Sequence, residues 1–461
     1  PGFEYLQGVL LHARMRICDW RDHAAGLASL AARIEKGERA SSGFSALSLF
    51  PSPQLQRRSA EIVVADRYPP DPSLGPIPRP TAARRKLRVG YFSADFYAHA
   101  TSYLIAGLLE AHDRSRIEVL GFSFGPDHQD EMRLRISSAC DRFVDVREAS
   151  DTEVARMSRD SGVDIAVDLK GLTQDSRPGI FALRAAPLQV SYLGFPGTMG
   201  ADYIDYLIAD RIVVPEHNQR YYSEKLVYLP DCYQVNDARR AVSERHFTRA
   251  ELGLPESGFV FCCFNSNYKI TPEMLDSWVR ILQQVEGSVL WLLQDNSTAA
   301  RNLRREARLR GLDERRLVFA QKLPIAEHLA RQKVANLFLD TSPYNAHTTA
   351  SDALWAGLPL LTLEGPAFHG RVASSLLACI GLPELVTSTM PAYEATAIAL
   401  ARNPEALATL RSRLWRNRLQ SPLFNTSLFA RHIEDAYARM YERHCQGLAP
   451  DTLHIDRPAA G

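Results

Sequence analysis

The 461 residues, 46% hydrophobic and 23% charged, exceed what one hydrophobic core usually supports and have an ordinary globular composition, so two or three folded domains are expected and long disorder is excluded. Lys plus Arg at 54 against Asp plus Glu at 53 leaves a formal charge of +1, no general field for a nucleic-acid backbone, so an anionic ligand needs a local site. No apolar run reaches the ~18 residues of a membrane span, and the first residues given show no basic segment followed by an apolar one. The seven cysteines are scattered without a C-x-x-C pair, so a cytoplasmic protein with reduced thiols is expected.

Residues 3–35 carry apolar positions at helical spacing, among them Tyr5, Leu6, Val9, Leu10, Leu27 and Leu30, and predict two amphipathic helices. Six prolines between Arg67 and Pro80 mark a linker, so residues 1–84 are taken as a helical segment with linker. From residue 85 short β-rich runs alternate with helical segments, the pattern of parallel α/β units. The runs 87–92, 117–124, 165–169, 189–193 and 206–209 build a first domain over 85–240. A helix between them is opened by Ser150-Asp151-Thr152-Glu153, a capping box. The charged segment 231–252 is the candidate hinge. The runs 259–264, 289–293, 317–320, 337–340 and 358–363, with helices at about 272–284, 298–310, 325–333, 347–356 and 370–380, build a second domain over 241–445 that ends in two helices near 404–417 and 427–444. Residues 446–461 are expected to form a mobile tail.

In open α/β sheets ligands bind beyond the carboxyl ends of the strands, so the loops that follow strands are where chemistry is sought. In the first candidate an apolar strand runs through Asp340-Thr341-Ser342-Pro343-Tyr344-Asn345 into His347-Thr348-Thr349, which opens a helix. Its first N–H groups have no internal partner and its dipole is positive there, which suits a diphosphate. Asp352, one turn on, either accepts from a sugar or ribose hydroxyl or favours the helix start electrostatically. Spacing alone does not separate this from ordinary capping. Lys269 ends the loop Asn265-Ser266-Asn267-Tyr268 after the 259–264 run, and a cation there would neutralise a departing nucleoside diphosphate; a solvated loop lysine has the same sequence signature. His99 follows the first strand of the first domain, where it would exchange a proton or bond a sugar, or be structural. His328, with Arg331 one turn along, would stack on a nucleobase or lie on the surface. Pro196 and Thr198 belong to the turn Gly194-Phe195-Pro196-Gly197-Thr198, a close approach to a ligand or simply a turn. D-x-D, G-x-G-x-x-G and Walker patterns are missing, which disfavours metal-carried nucleotide-sugar binding, dinucleotide oxidoreductases and P-loop enzymes.

The segments LRVGYFSADFYAHATSYL, DLKGLTQDSRPGIFALRAAPLQVSYLGFPGTMGADYIDYLIAD, YYSEKLVYLP, FCCFNSNYKI, SVLWLL, NLFLDTSPYNAHTTASDALWAGLPLLTL and SPLFNTSLFARHIEDAY resemble, in order over about residues 85–443, the catalytic region of the O-linked N-acetylglucosamine transferase family; CDW at Cys18–Trp20 is similar to bacterial members. The resemblance implies a B-type glycosyltransferase fold of two Rossmann-like domains. It also implies inverting, metal-independent transfer from UDP-GlcNAc to Ser or Thr of a protein acceptor, with no cofactor. By position it implies that Lys269 meets the donor phosphates, with Asn265, Ser266 and Tyr268 beside it. His347, Thr348, Thr349 and Asp352 match the donor-binding helix start, His328 the base-stacking histidine, Arg331 its neighbour and His99 the active-site histidine. Backbone groups around Leu323 would face the uracil, and Pro196 and Thr198 are counted with the donor site.

The sequence departs from animal members at Ile325, where they have a ribose-contacting lysine, at Ser266, where they have glutamine, and at Tyr344, which replaces a small thiol beside the sugar. The long inter-domain insertion and the tetratricopeptide repeats are not in this chain. GDP-fucose, glucose transfer to Asn, a nonulosonic sugar onto flagellin, and an idle scaffold are therefore the competing expectations.

Overall fold

The computed structural model describes residues 3–79 and 86–457. Seven strands in chain order belong to the first sheet: β1 (Leu87–Ser93), β2 (Ile117–Ser123), β3 (Arg142–Asp145), β4 (Ile165–Asp168), β5 (Leu188–Ser191), β6 (Tyr206–Ala209) and β7 (Lys225–Tyr228). A second sheet holds β8 (Val260–Cys263), β9 (Val289–Leu293), β10 (Leu317–Ala320), β11 (Leu337–Leu339), β12 (Leu360–Leu363) and β13 (Val386–Thr387). The last strand, β14 (Leu453–His454), returns to the first sheet.

The orders are β14-β7-β6-β5-β4-β1-β2-β3 and β10-β9-β8-β11-β12-β13. Pairing is parallel, with Leu87 opposite Ile117 and Val89 opposite Ile165 in the first sheet and Val260 opposite Val289 in the second. The inner strands are buried on both faces, as parallel sheets covered by helices require. That burial is why they read as continuous apolar runs; Cys262 and Cys263 are two such residues, fully buried. In each sheet the strand order reverses once beside the first strand, between β1 and β4 and between β8 and β11, and the loops leaving those strands part to form a crevice. The fold is α/β, with two Rossmann-like sheets of the B-type glycosyltransferase class.

The chain forms two compact units whose composition the linear order does not convey. The second-sheet unit takes the described residues up to Ala32, Ser48–Pro51 and Arg240–Ser421; the first-sheet unit takes Arg33–Leu47, Ser52–Arg239 and the chain from Pro422 on. The amino-terminal region thus contributes to both units. In the second-sheet unit, the helix Leu6–Arg16 is anchored by Asn296 and Asn302, whose amides donate to the carbonyls of Arg16 and Ile17 at 2.9 and 2.7 Å. In the first-sheet unit, Arg57 of the helix Pro53–Arg67 donates to the Arg220 carbonyl at 2.6 Å. The proline-rich linker is held as well: Arg159 donates to the carbonyls of Leu74 and Gly75, both at 2.9 Å.

The helix Thr426–Cys445 is a first-sheet element, whereas the sequence places it with the second domain. Its Glu434 carboxylate bonds His112 Nδ1 at 2.9 Å, His112 Nε2 meets the Tyr91 hydroxyl at 2.8 Å, and that hydroxyl lies 3.2 Å from the hydroxyl of Tyr437. This buried chain of polar groups ties the last helix to β1. The expected tail supplies β14, latched by Arg457 to Asp231 at 2.7 Å. Strands β3, β7, β13 and β14 are absent from the sequence-predicted list; they lie at or near sheet edges and are partly exposed, so they lack the continuous apolar run of the inner strands. The Ser150 capping box forms as predicted.

Candidate active site

The crevice of the second sheet lies where β8 and β11 end. β8 delivers the loop Phe264 to Tyr268 and a single 3-10 turn, Asn267–Lys269. β11 delivers Asp340 and then the loop to the helix Thr348–Trp355. Asp340 organises both loops from below. Its carboxylate accepts from the Thr341 and Ala346 N–H groups at 2.7 and 2.6 Å, from the Thr362 hydroxyl at 2.7 Å and from the Asn265 amide at 3.1 Å. Burial still pushes its carboxyl up to about 6, against those hydrogen bonds and the nearby Lys269. Asn265 then bridges the two loops, donating to Thr341 Oγ1 at 2.7 Å and accepting from the Thr349 hydroxyl.

Lys269 is 8% exposed. Its ammonium donates to the Asn345 carbonyl at 2.7 Å and sits 4.0 Å above the centre of the Tyr344 ring, a cation–π contact. Among the described residues no carboxylate lies within ion-pair distance of it. Burial lowers its pKa from 10.5 to about 8, with Asp340 opposing. A buried ammonium held by a carbonyl and a ring face is costly, and an anion beside it relieves that cost.

The helix at Thr348 starts without a side-chain cap. His347 occupies the N-cap position, but its Nε2 donates instead to the His369 carbonyl at 3.0 Å. Burial, then the Lys269 charge, keep His347 neutral, and burial likewise lowers His369 to about 3. Tyr344 packs between these rings, 5.0 Å from each. The first helical N–H groups, Thr348 and Thr349, therefore open beside a buried cation, and both features favour an anion.

Behind the loop, Tyr268 stands edge-on to Tyr344 at 5.8 Å and touches the ring of His12 at 4.9 Å, from the helix Leu6–Arg16. Nothing in the sequence connects His12 to this loop; the contact is a product of the fold. Ser266, at the start of the 3-10 turn, makes no capping bond.

On the far side of β9, Arg331 is 1% exposed and donates to the Gln321 carbonyl and, at 2.7 Å, to His328 Nδ1. It is an internal residue and does not itself extend toward solvent. Because Nδ1 accepts that bond, the neutral His328 ring carries its proton on Nε2. Its pKa is lowered to about 3, by burial first and by Arg331 second. The ring is half-buried, 5.1 Å from that of Phe264, and Leu323, in the loop before the helix, is half-buried as well.

Asp352 is not turned to an open helix start. Both it and Arg240 are buried, and the two form an ion pair. The Arg240 carbonyl also receives the Trp355 indole N–H at 3.1 Å. Pro196 and Thr198 are buried in the first-sheet unit, where the Thr198 hydroxyl donates to Glu224 at 2.6 Å, a packing role. Gly194 is explained by the chain itself, because a Cβ there would lie 1.8 Å from the Leu169 carbonyl oxygen.

In the first-sheet unit, His99 caps the helix Ala100–Ala111 and accepts the Thr101 N–H on Nδ1 at 3.3 Å. Its side chain is 39% exposed. Asp340, His369, Arg240 and Lys170 are the residues sequence reasoning missed; of these, Asp340, at the end of one apolar run, and Lys170, directly after another, had a positional signal.

The family model for glycosyl transferase family 41 matches residues 77–248 and 243–433. The chain belongs to that family. A relative from Arabidopsis thaliana, the probable UDP-N-acetylglucosamine–peptide N-acetylglucosaminyltransferase SEC, is 34% identical over 97% of this chain. The Caenorhabditis elegans UDP-N-acetylglucosamine–peptide N-acetylglucosaminyltransferase is 28% identical over 80% of it. These alignments cover 48% and 42% of the relatives, so the chain spans about half the length of the curated proteins it matches. Among solved structures, a mutant of the Thermobaculum terrenum O-GlcNAc transferase superposes with a TM-score of 0.83 at 30% identity, covering 96% of this chain and 84% of that one. Sucrose-phosphate synthase from Thermosynechococcus elongatus, at 14% identity and a TM-score of 0.53 over 77% of this chain and 100% of that one, shares the fold alone.

Proposed function

We propose that the chain is an inverting glycosyltransferase that moves N-acetylglucosamine from UDP-GlcNAc to Ser or Thr hydroxyls of proteins, without a metal ion. The observation that carries this reading is Lys269, a buried cation with no ion-pairing carboxylate among the described residues, beside the uncapped helix start at Thr348. In the reading, the donor diphosphate lies against the Lys269 ammonium and the Thr348 and Thr349 N–H groups. The uracil stacks on His328, held in one tautomer by Arg331, and the sugar reaches the Tyr344 side. The acceptor oxygen attacks the anomeric carbon from the face opposite the diphosphate; the bond to the diphosphate breaks, UDP leaves with the electron pair, and the acceptor hydroxyl's proton is released to solvent. Charge grows on the leaving oxygen, where a preorganised cation and helix N–H groups act most strongly. The names of the relatives support the donor and the protein acceptor. The missing D-x-D pattern supports a metal-free leaving-group site.

Ligand-induced shifts in melting temperature test the donor: UDP raises it while GDP and CMP do not, since only a ligand bound to the native state stabilises. A shift with GDP alone would replace the nucleoside. Lys269→Ala should lower turnover by roughly 10²-fold or more at saturating donor, measured as sugar transferred to acceptor protein by mass spectrometry. Near-normal turnover would remove Lys269 from the leaving-group role.

A further inference from the structure

The crevice of the first sheet gathers three residues that the donor site leaves unexplained. The loop after β1 carries Asp95 and His99, and the loop after β4 carries Lys170. Lys170 is buried, 6% exposed at its side chain, and its Nζ donates to both oxygens of the Asp95 carboxylate at 2.9 and 2.8 Å. Asp168 fixes the turn that presents it, accepting from the Lys170 and Gly171 N–H groups at 2.8 and 3.1 Å.

Asp95 Oδ2 also lies 3.4 Å from His99 Nδ1. In a hydrolase triad such a carboxylate holds a proton on Nδ1 and leaves Nε2 as the base. Two contacts reverse that polarity here. The charge of Asp95 is already bound on both oxygens by Lys170. Nδ1 is already the acceptor of the Thr101 N–H, and a ring nitrogen that accepts carries no proton. Around the pair, Ala98 N–H is held by Asp130 at 2.7 Å, and the Tyr97 ring lies 5.7 Å from His99 and 4.7 Å from His128, with Asp175 acting on Tyr97. Burial, with Lys170 adding and Asp95 opposing, favours the neutral imidazole.

We propose that Lys170 is a positioning residue: by engaging Asp95 it holds His99 as the Nε2–H tautomer, so that His99 offers a hydrogen bond to an oxygen of the acceptor instead of removing a proton. This rests on the reading of His99 as a ligand-facing residue of a glycosyltransferase. Without the ammonium, the uncompensated buried carboxylate draws a proton onto Nδ1.

The test is a long-range proton–nitrogen correlation spectrum of the full chain carrying 15N-histidine, without donor, with His99 assigned by the signals lost in His99→Gln. The wild type should show the Nε2–H pattern at pH 7.5. Lys170→Met should move it to Nδ1–H or to imidazolium, and Lys170→Arg should keep it. An Nδ1–H pattern in the wild type overturns the proposal, even if Lys170→Met does not fold. An unchanged pattern in folded Lys170→Met does the same. In turnover assays, His99→Gln, which retains an N–H donor, should keep at least about tenfold more kcat than His99→Phe, whereas loss of a general base would lower both alike by about 10²-fold or more. The tautomer is read without nucleotide. A failure of UDP to bind would therefore fall on the donor reading, and the spectrum would still decide this one.

Discussion

Lys269 carries its charge where charge is disfavoured, and two opposite consequences follow. Its pKa in the fold is about 8 against an ordinary 10.5, so between those values the unfolded chain binds more protons and stability rises with pH; below pH 8 the cost of the buried ammonium is fully present. Lys269→Met should therefore melt at a higher temperature than the parent at pH 7 while losing turnover, the sign of a residue retained for function. A lower melting temperature would make the ammonium a structural contact. For the same reason kcat/KM for the donor should fall as pH rises through about 8, since the free enzyme loses its cation there. The limb in kcat should lie higher, because a bound diphosphate favours the charged form. A pH profile flat to pH 9.5 would refute this. Lys269, Thr348 and Thr349 were legible in the sequence because each follows a strand that reads plainly as one. Asp352 was legible as a residue but not as a partner of Arg240, 112 positions away, and Arg331 was visible as a cation without any sign that it turns inward.

At the scale of elements, the site depends on how tightly the loop after β11 is folded. Asp340 closes it from within by accepting the Ala346 N–H, and the His369 carbonyl bonds both the Asn345 N–H and the His347 ring at 3.0 Å. Gly370 lies against this loop, and a Cβ there would meet the Pro343 carbonyl at 2.6 Å, a backbone atom that cannot rotate away. Gly370→Ala should displace the segment that carries Tyr344 and His347, costing about 1–3 kcal/mol of overpacking and weakening UDP affinity, read by calorimetry. Unchanged affinity would mean that the loop shifts without disturbing the donor residues. The predicted inner strands match the structure because buried parallel strands are continuous apolar runs, while the missed strands β3, β7, β13 and β14 are partly exposed and interrupt that run.

At the scale of the whole molecule, several buried histidines are held neutral by burial: His12 at about 4, His328 and His369 at about 3, with His112 and His432 also lowered. Their folded values lie below the unfolded 6.5, so the stability they retain above that pH is lost as pH falls. Asp168 and Asp340, raised to about 6, have the opposite sign and begin to offset the loss below pH 6. Scanning calorimetry should find a melting temperature that falls as pH is lowered from 7 to 5; a rise over that interval would contradict the sign. The sequence by itself determined the α/β class, the two sheets and the strand ends where a ligand would sit, because hydrophobic periodicity and strand-to-helix order are local properties. Tertiary structure alone decided that the last helix crosses back to β1, that the first helix supports the Lys269 loop, and that Asp95 is claimed by Lys170. Each of these is a contact between groups far apart in the chain, and burial, which gives such contacts their strength, has no local signature.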